Sequence, residues 1–93
     1  MKEVMVDMTE FVPKGHLNGV SREELHIITG MPDRDIRAAI TWTTFHIEPV
    51  YSFNGSYFRY KNKSDLPYIN DYIGQEEARV KTLKKKIKAL RRG

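Results

Sequence analysis

The side chains most able to do chemistry in this chain are scattered. His16, His26 and His46 stand ten or more residues apart and there is no cysteine, so neither a zinc-type ligand set nor a thiolate nucleophile is expected. No Ser-His-Asp spacing, glycine-rich phosphate loop or paired-carboxylate pocket emerges. Glu23-Glu24 and Glu76-Glu77 read as helix-surface neighbours. The expectation is a protein with no catalytic residues, no metal, no cofactor and no small-molecule ligand. What the sequence does concentrate is positive charge. Residues 1–75 hold eight Lys/Arg against ten Asp/Glu, whereas residues 76–93 hold eight against two. A slightly acidic body therefore carries a basic tail, with Arg79, Lys81, Lys84, Lys85, Lys88, Arg91 and Arg92 among its cations. Such a tail suits an anionic partner, or else stays solvated.

Ninety-three residues with 40% hydrophobic and 30% charged content describe one small soluble domain. No apolar run is long enough to span a membrane, and the first residues lack the apolar stretch of a signal peptide. The expected location is the cytoplasm.

The elements that would position the charged groups follow from local pattern. Val4, Met5, Met8, Phe11 and Val12 recur at helical spacing, which predicts an amphipathic helix from Lys2 to Phe11, ended by Pro13 and Gly15. Ser21-Arg22-Glu23-Glu24 is a capping box, with Val20 and Leu25 placed as a hydrophobic staple. That helix runs to Gly30, a residue suited to a left-handed stop. A second helix restarts with Pro32 in its first turn and Asp33 and Asp35 at the positive end of the dipole. Ile36, Ala39 and Ile40 form its apolar stripe, and the β-rich run Thr41 to Phe45 should end it.

Asn54-Gly55 between two β-rich runs predicts a type I′ hairpin pairing Ser52 with Tyr57 and Tyr51 with Phe58. Tyr51, Phe53, Phe58 and Tyr60 would form the core face, and Val50, Ser52, Tyr57 and Arg59 the other. Of the aromatics, Trp42, Phe45, Tyr51, Phe58 and Tyr60 are expected mainly in the core, with Tyr57 the best candidate for exposure. The alternative use of such rings is stacking on single-stranded bases. From a cap at Ser64 or Asp65, the positions Leu66, Ile69, Ile73, Glu76, Val80, Leu83, Ile87 and Leu90 repeat at 3-4 spacing. They predict a final helix of about 40 Å.

Two short helices joined by a tight turn and followed by a hairpin give the order of a winged helix-turn-helix, in a mainly α fold with a β-hairpin wing. The expected division is residues 1–63 for this unit and 64–93 for the basic helix. The stretch from Val20 to Ile40 resembles the helix-turn-helix of small phage and prophage winged-helix proteins with basic C-terminal helices. The resemblance implies sequence-specific double-stranded DNA binding in regulation or replication. It puts Leu25, Gly30, Met31, Ile36 and Ala39 at framework positions. Asp33, Arg34, Arg37 and Thr41 would lie on the recognition helix, and Ser21 and Arg22 would contact the DNA backbone. Asn54, Ser56, Tyr57, Arg59 and Lys61 would lie on or beside the wing. His26 and Thr29 depart from the pattern, standing where small and apolar residues are commoner.

Alternatives stay open. Arg34 and Arg37 suit guanine or phosphate contact, or surface ion pairs with Asp33, Asp35 or Glu24. Asn54 is also simply a turn former. The whole chain also fits a protein-interaction adaptor that meets nucleic acid only nonspecifically. In the last helix, Val80 and Ile87 at a with Leu83 and Leu90 at d suit a parallel homodimer. Yet Arg79 would then face Lys84, and Lys86 would face Arg91. Phosphate, an acidic partner helix, or a seam folded back on the domain would each relieve that repulsion.

Overall fold

The computed structural model describes residues 5–92. It is mostly helical, with a small three-stranded antiparallel sheet and a long C-terminal helix. Strand β1 is Val20–Ser21, helix α1 is Arg22–Thr29 and helix α2 is Asp33–His46. Strands β2, Tyr51–Phe53, and β3, Ser56–Phe58, form the hairpin, and helix α3 is Leu66–Arg92.

Helix α1 starts as its capping box requires. Ser21 Oγ accepts from the Glu24 amide at 3.1 Å, and Glu24 Oε1 accepts from the Ser21 amide at 3.1 Å. Gly30 closes it at φ 71°. His26 and Thr29 fasten the turn to α2. His26 Nδ1 donates to the Met31 carbonyl at 2.6 Å, and Thr29 Oγ1 accepts from the Met31 amide at 3.1 Å.

Helix α2 does not stop at Thr41. It continues to His46 because Thr41, Thr43 and Thr44 each turn their hydroxyl onto the carbonyl four residues back, satisfying it inside the helix. Thr43 is fully buried, and its Oγ1 also accepts from the Met8 amide at 2.9 Å. Burial and that long-range bond override a weak helix propensity.

The same bond explains the N-terminal segment. The expected helix from Lys2 to Phe11 is a single 3-10 turn, Met8–Glu10; its first residues, 1–4, lie outside the described range. Asp7 caps this turn, accepting from the amide and hydroxyl of Thr9 at 2.9 and 2.6 Å. Those bonds hold the Asp7 carboxyl below its ordinary pKa. Met8 and Val12 still reach the core, where they join Leu25, Ile36, Ala39, Ile40 and Val50.

The hairpin has the expected register, with Ser52 opposite Tyr57 and Tyr51 opposite Phe58. Asn54 and Gly55 take φ of 49° and 79°, as a type I′ turn demands. Pairing of β1 with β3 adds a third strand, Val20 opposite Tyr57 and Ser21 opposite Ser56.

Both faces of the hairpin are covered, not one. Val50 and Tyr57 pack on the α1–α2 core, so Tyr57 is half-buried instead of exposed. On the opposite face, Tyr51 meets Tyr72 and Phe53 meets Tyr68 of α3. Phe58 is fully buried and stands edge-on to His16. Tyr60 and Phe45, expected inside, are 45% and 79% exposed. A domain this small has too little interior to enclose every ring.

Helix α3 begins at Leu66, where a cap at Asp65 would place it and one residue later than a cap at Ser64 implies. Asn62 caps a 3-10 turn, Lys63–Asp65, that leads into it. Tyr68, Ile69 and Tyr72 dock this helix on the domain; no residue beyond Ile69 is buried among those described.

Candidate nucleic-acid interface

The start of α2 lies beside the start of α1, and their charges converge. Asp33 joins them. Its Oδ2 accepts from Arg37 Nε at 3.1 Å and Nη2 at 2.8 Å, and from Arg22 Nη1 at 3.3 Å. All three side chains are about half exposed or more. Ion pairs this open contribute little to stability, but they hold two guanidinium groups at one edge. Tyr57 reaches the same cluster from β3. Burial pushes its phenol pKa up, and the nearby Arg22 guanidinium partly offsets that.

Arg34 is exposed and has no hydrogen bond or ion pair among the described residues. Thr41 is one helical turn beyond Arg37, and its hydroxyl donates to the Arg37 carbonyl at 3.0 Å. Ser21 is committed to the capping box. Arg22, in the first turn of α1, reaches across to Asp33 of α2.

On the hairpin, Asn54 is exposed at the tip and Ser56 is half-buried in the β1–β3 pairing. Arg59, placed by sequence on the wing surface, turns inward. Its Nε donates to the Val12 carbonyl and its Nη1 to Glu48 Oε1, both at 2.6 Å, and its side chain is only 16% exposed. It clamps the N-terminal segment to the end of α2 and is not free to meet phosphate. Lys61 remains exposed beside Gly15. The basic residues of α3, namely Arg79, Lys81, Lys84, Lys85, Lys86, Lys88, Arg91 and Arg92, are all exposed. Arg79 is within 3.4 Å of Glu76.

Two features have no counterpart in the sequence reading. The first is a buried polar junction. Asp65, 1% exposed, accepts from the amides of His16, Lys61 and Asn62 at 3.0, 2.8 and 3.3 Å, and from His16 Nδ1 at 2.6 Å. Burial alone would raise its pKa. The four donors outweigh burial and hold the carboxyl well below the usual range. His16 also stacks on Tyr68 at 4.0 Å. With His16 and Asp65 49 positions apart in the chain, no local signal marks this pair.

The second is a cleft of about 560 Å³ between the end of α2, strand β2 and α3. Ile40, Phe45, Ile73 and Val80 are among its apolar walls, and Glu76 and Glu77 stand at its α3 side.

Among the described residues no helix is long and apolar enough to cross a membrane. No protein-family model matches the chain, nor does any curated protein or solved structure.

Proposed function

We propose that this chain binds double-stranded DNA as a winged helix-turn-helix, with α2 as the recognition helix and the β2–β3 hairpin as the wing. The observation that carries the reading is the first turn and a half of α2. Its exposed side displays Arg34 without a partner among the described residues and holds Arg37 and Arg22 side by side on Asp33. Guanidinium groups presented from one helix end suit the paired acceptors of guanine in the major groove. Contact with phosphate would draw Arg22 and Arg37 from an exposed, weakly held carboxylate. The basic stretch of α3 adds sequence-independent attraction. A role in phage or prophage regulation or replication is the context that the sequence resemblance implies.

The net acidic body and the two aspartates of α2 favour a second reading, an adaptor that docks protein through the same helix. Site selection from a random duplex pool separates the two. The DNA reading predicts an enriched sequence, and Arg34→Ala should weaken binding to it by about 10- to 100-fold while flattening preference. Lys85→Ala should weaken all duplexes alike. If no sequence is enriched, or Arg34→Ala binds the selected site as wild type does, α2 is not a groove reader.

A further inference from the structure

The C-terminal half of α3 is shaped for a partner that one copy of the chain does not supply. Val80, Leu83 and Ile87 are each about half exposed and Leu90 is 70% exposed. They form one stripe at heptad spacing, edged by Lys84, Lys86 and Arg91. Beyond Val80 every described residue is exposed, so this part of the helix projects from the domain. An isolated helix so short is marginal in water. The earlier half of the same helix carries the complementary surface: the apolar cleft at Ile73 and Val80, with Glu76 and Glu77 beside it.

We propose that a second copy of this chain covers both surfaces, the two α3 helices pairing antiparallel so that the basic end of each lies in the acid-edged cleft of the other. A register follows from the heptad. Ile73 lies opposite Leu90 of the second copy, Glu76 opposite Ile87, and Val80 opposite Leu83; the two-fold axis repeats each layer. On one flank Glu77 faces Lys84 of the second copy, an attraction made twice. On the other, Arg79 faces Lys86, but Arg79 already has Glu76 within 3.4 Å. Glu76, which breaks the apolar repeat, falls next to Lys86 of the second copy. A parallel pair keeps the intrachain Glu76–Arg79 contact but gains no Glu77–Lys84 attraction. It sets Arg79 against Lys84 and Lys86 against Arg91, with no opposite charges between. The antiparallel contact is self-complementary and closes after two copies. Electrostatics therefore selects orientation, while the stripe and the cleft supply apolar contact.

Because the chain has no cysteine, orientation is directly readable. Full-length Ile73→Cys and Leu90→Cys proteins, mixed without nucleic acid in a glutathione redox buffer, should accumulate the mixed 73–90 disulfide. Disulfides only between like positions would show a parallel pair, and no disulfide above a denatured control would show that copies do not meet; either result overturns the proposal. Sedimentation equilibrium of the unmodified chain should give twice the 10.9 kDa chain mass, and a monomer at high micromolar concentration would also overturn it. Lys84→Glu should weaken the dimer about tenfold by facing Glu77, and adding Glu77→Lys should restore it. In a parallel pair Lys84→Glu would instead tighten association through Arg79. Failure of DNA binding would leave all these outcomes readable.

Discussion

Replacing Asp65 by asparagine keeps shape and volume but removes half the acceptor capacity at the buried junction. In the native protein, Oδ1 accepts from the amide and ring of His16, and Oδ2 accepts from the amides of Lys61 and Asn62. The carboxamide oxygen can serve only one of these sets. Its NH2 group would then point at the N–H donors of the other, leaving two donors buried without acceptors. Each orphaned donor costs about 1–3 kcal/mol, so Asp65→Asn should lose about 3 kcal/mol at neutral pH. For a domain of this size that lowers Tm by roughly 15 °C. Urea unfolding followed by circular dichroism measures the first, and thermal unfolding the second. The pH dependence has a definite sign. The folded carboxyl titrates below its ordinary value of 3.8. In acid the unfolded chain therefore takes up this proton first, which favours unfolding. Asp65 contributes its full stabilisation above about pH 4 and loses it as pH falls through the lowered value. The gap between wild type and Asp65→Asn should narrow in that acid range. A variant within about 0.5 kcal/mol of wild type at pH 7, a scale ordinary for surface substitutions, would refute the junction's structural role.

Three further predictions concern the frame that presents α2. Thr43→Val leaves the Met8 amide without its acceptor and should cost about 1–3 kcal/mol in urea unfolding; an unchanged midpoint would mean the N-terminal segment is not held there. Ser21→Ala removes one arm of the capping box and should cost about 1 kcal/mol, with faster hydrogen exchange at the Glu24 amide as the local sign. At Gly19 an added Cβ would lie 2.9 Å from Ser56 Cβ and 3.2 Å from the Tyr57 carbonyl oxygen. Gly19→Ala should therefore push β1 from β3 at a cost of about 1–3 kcal/mol, visible as lost protection of that strand pair.

What could be read from sequence was local. The capping box of α1 and the Asn54-Gly55 turn involve groups within four residues of each other, and the structure has both, with the hairpin register they imply. The apolar repeat of α3 likewise marked a long helix. Missed features depended on distant partners. The β-rich run from Thr41 to Phe45 reads as the end of α2, whereas the Met8 amide gives Thr43 a reason to be buried in a continuing helix. Val20 read as a staple and is also a strand residue, because Tyr57 lies opposite it. Arg59 looked like a wing residue because alternation in the hairpin does not reveal the Val12 carbonyl and Glu48 that draw it inward. At the proposed interface, sequence offered both a groove contact and a surface ion pair for Arg37. The structure contains the pair with Asp33 and leaves Arg34 unengaged among the described residues, which makes Arg34 the sharper probe of base contact.

The most direct test of the central claim is a salt series of fluorescence-anisotropy titrations with three probes: a duplex selected by the protein, a random duplex and a random single strand. Counterion release makes affinity for all three fall with salt. If α2 reads the groove, the selected duplex binds more tightly than the others and keeps that preference at physiological salt. Equal affinities for the three probes, vanishing together as salt rises, would contradict that claim and reduce α3 to a nonspecific polycation.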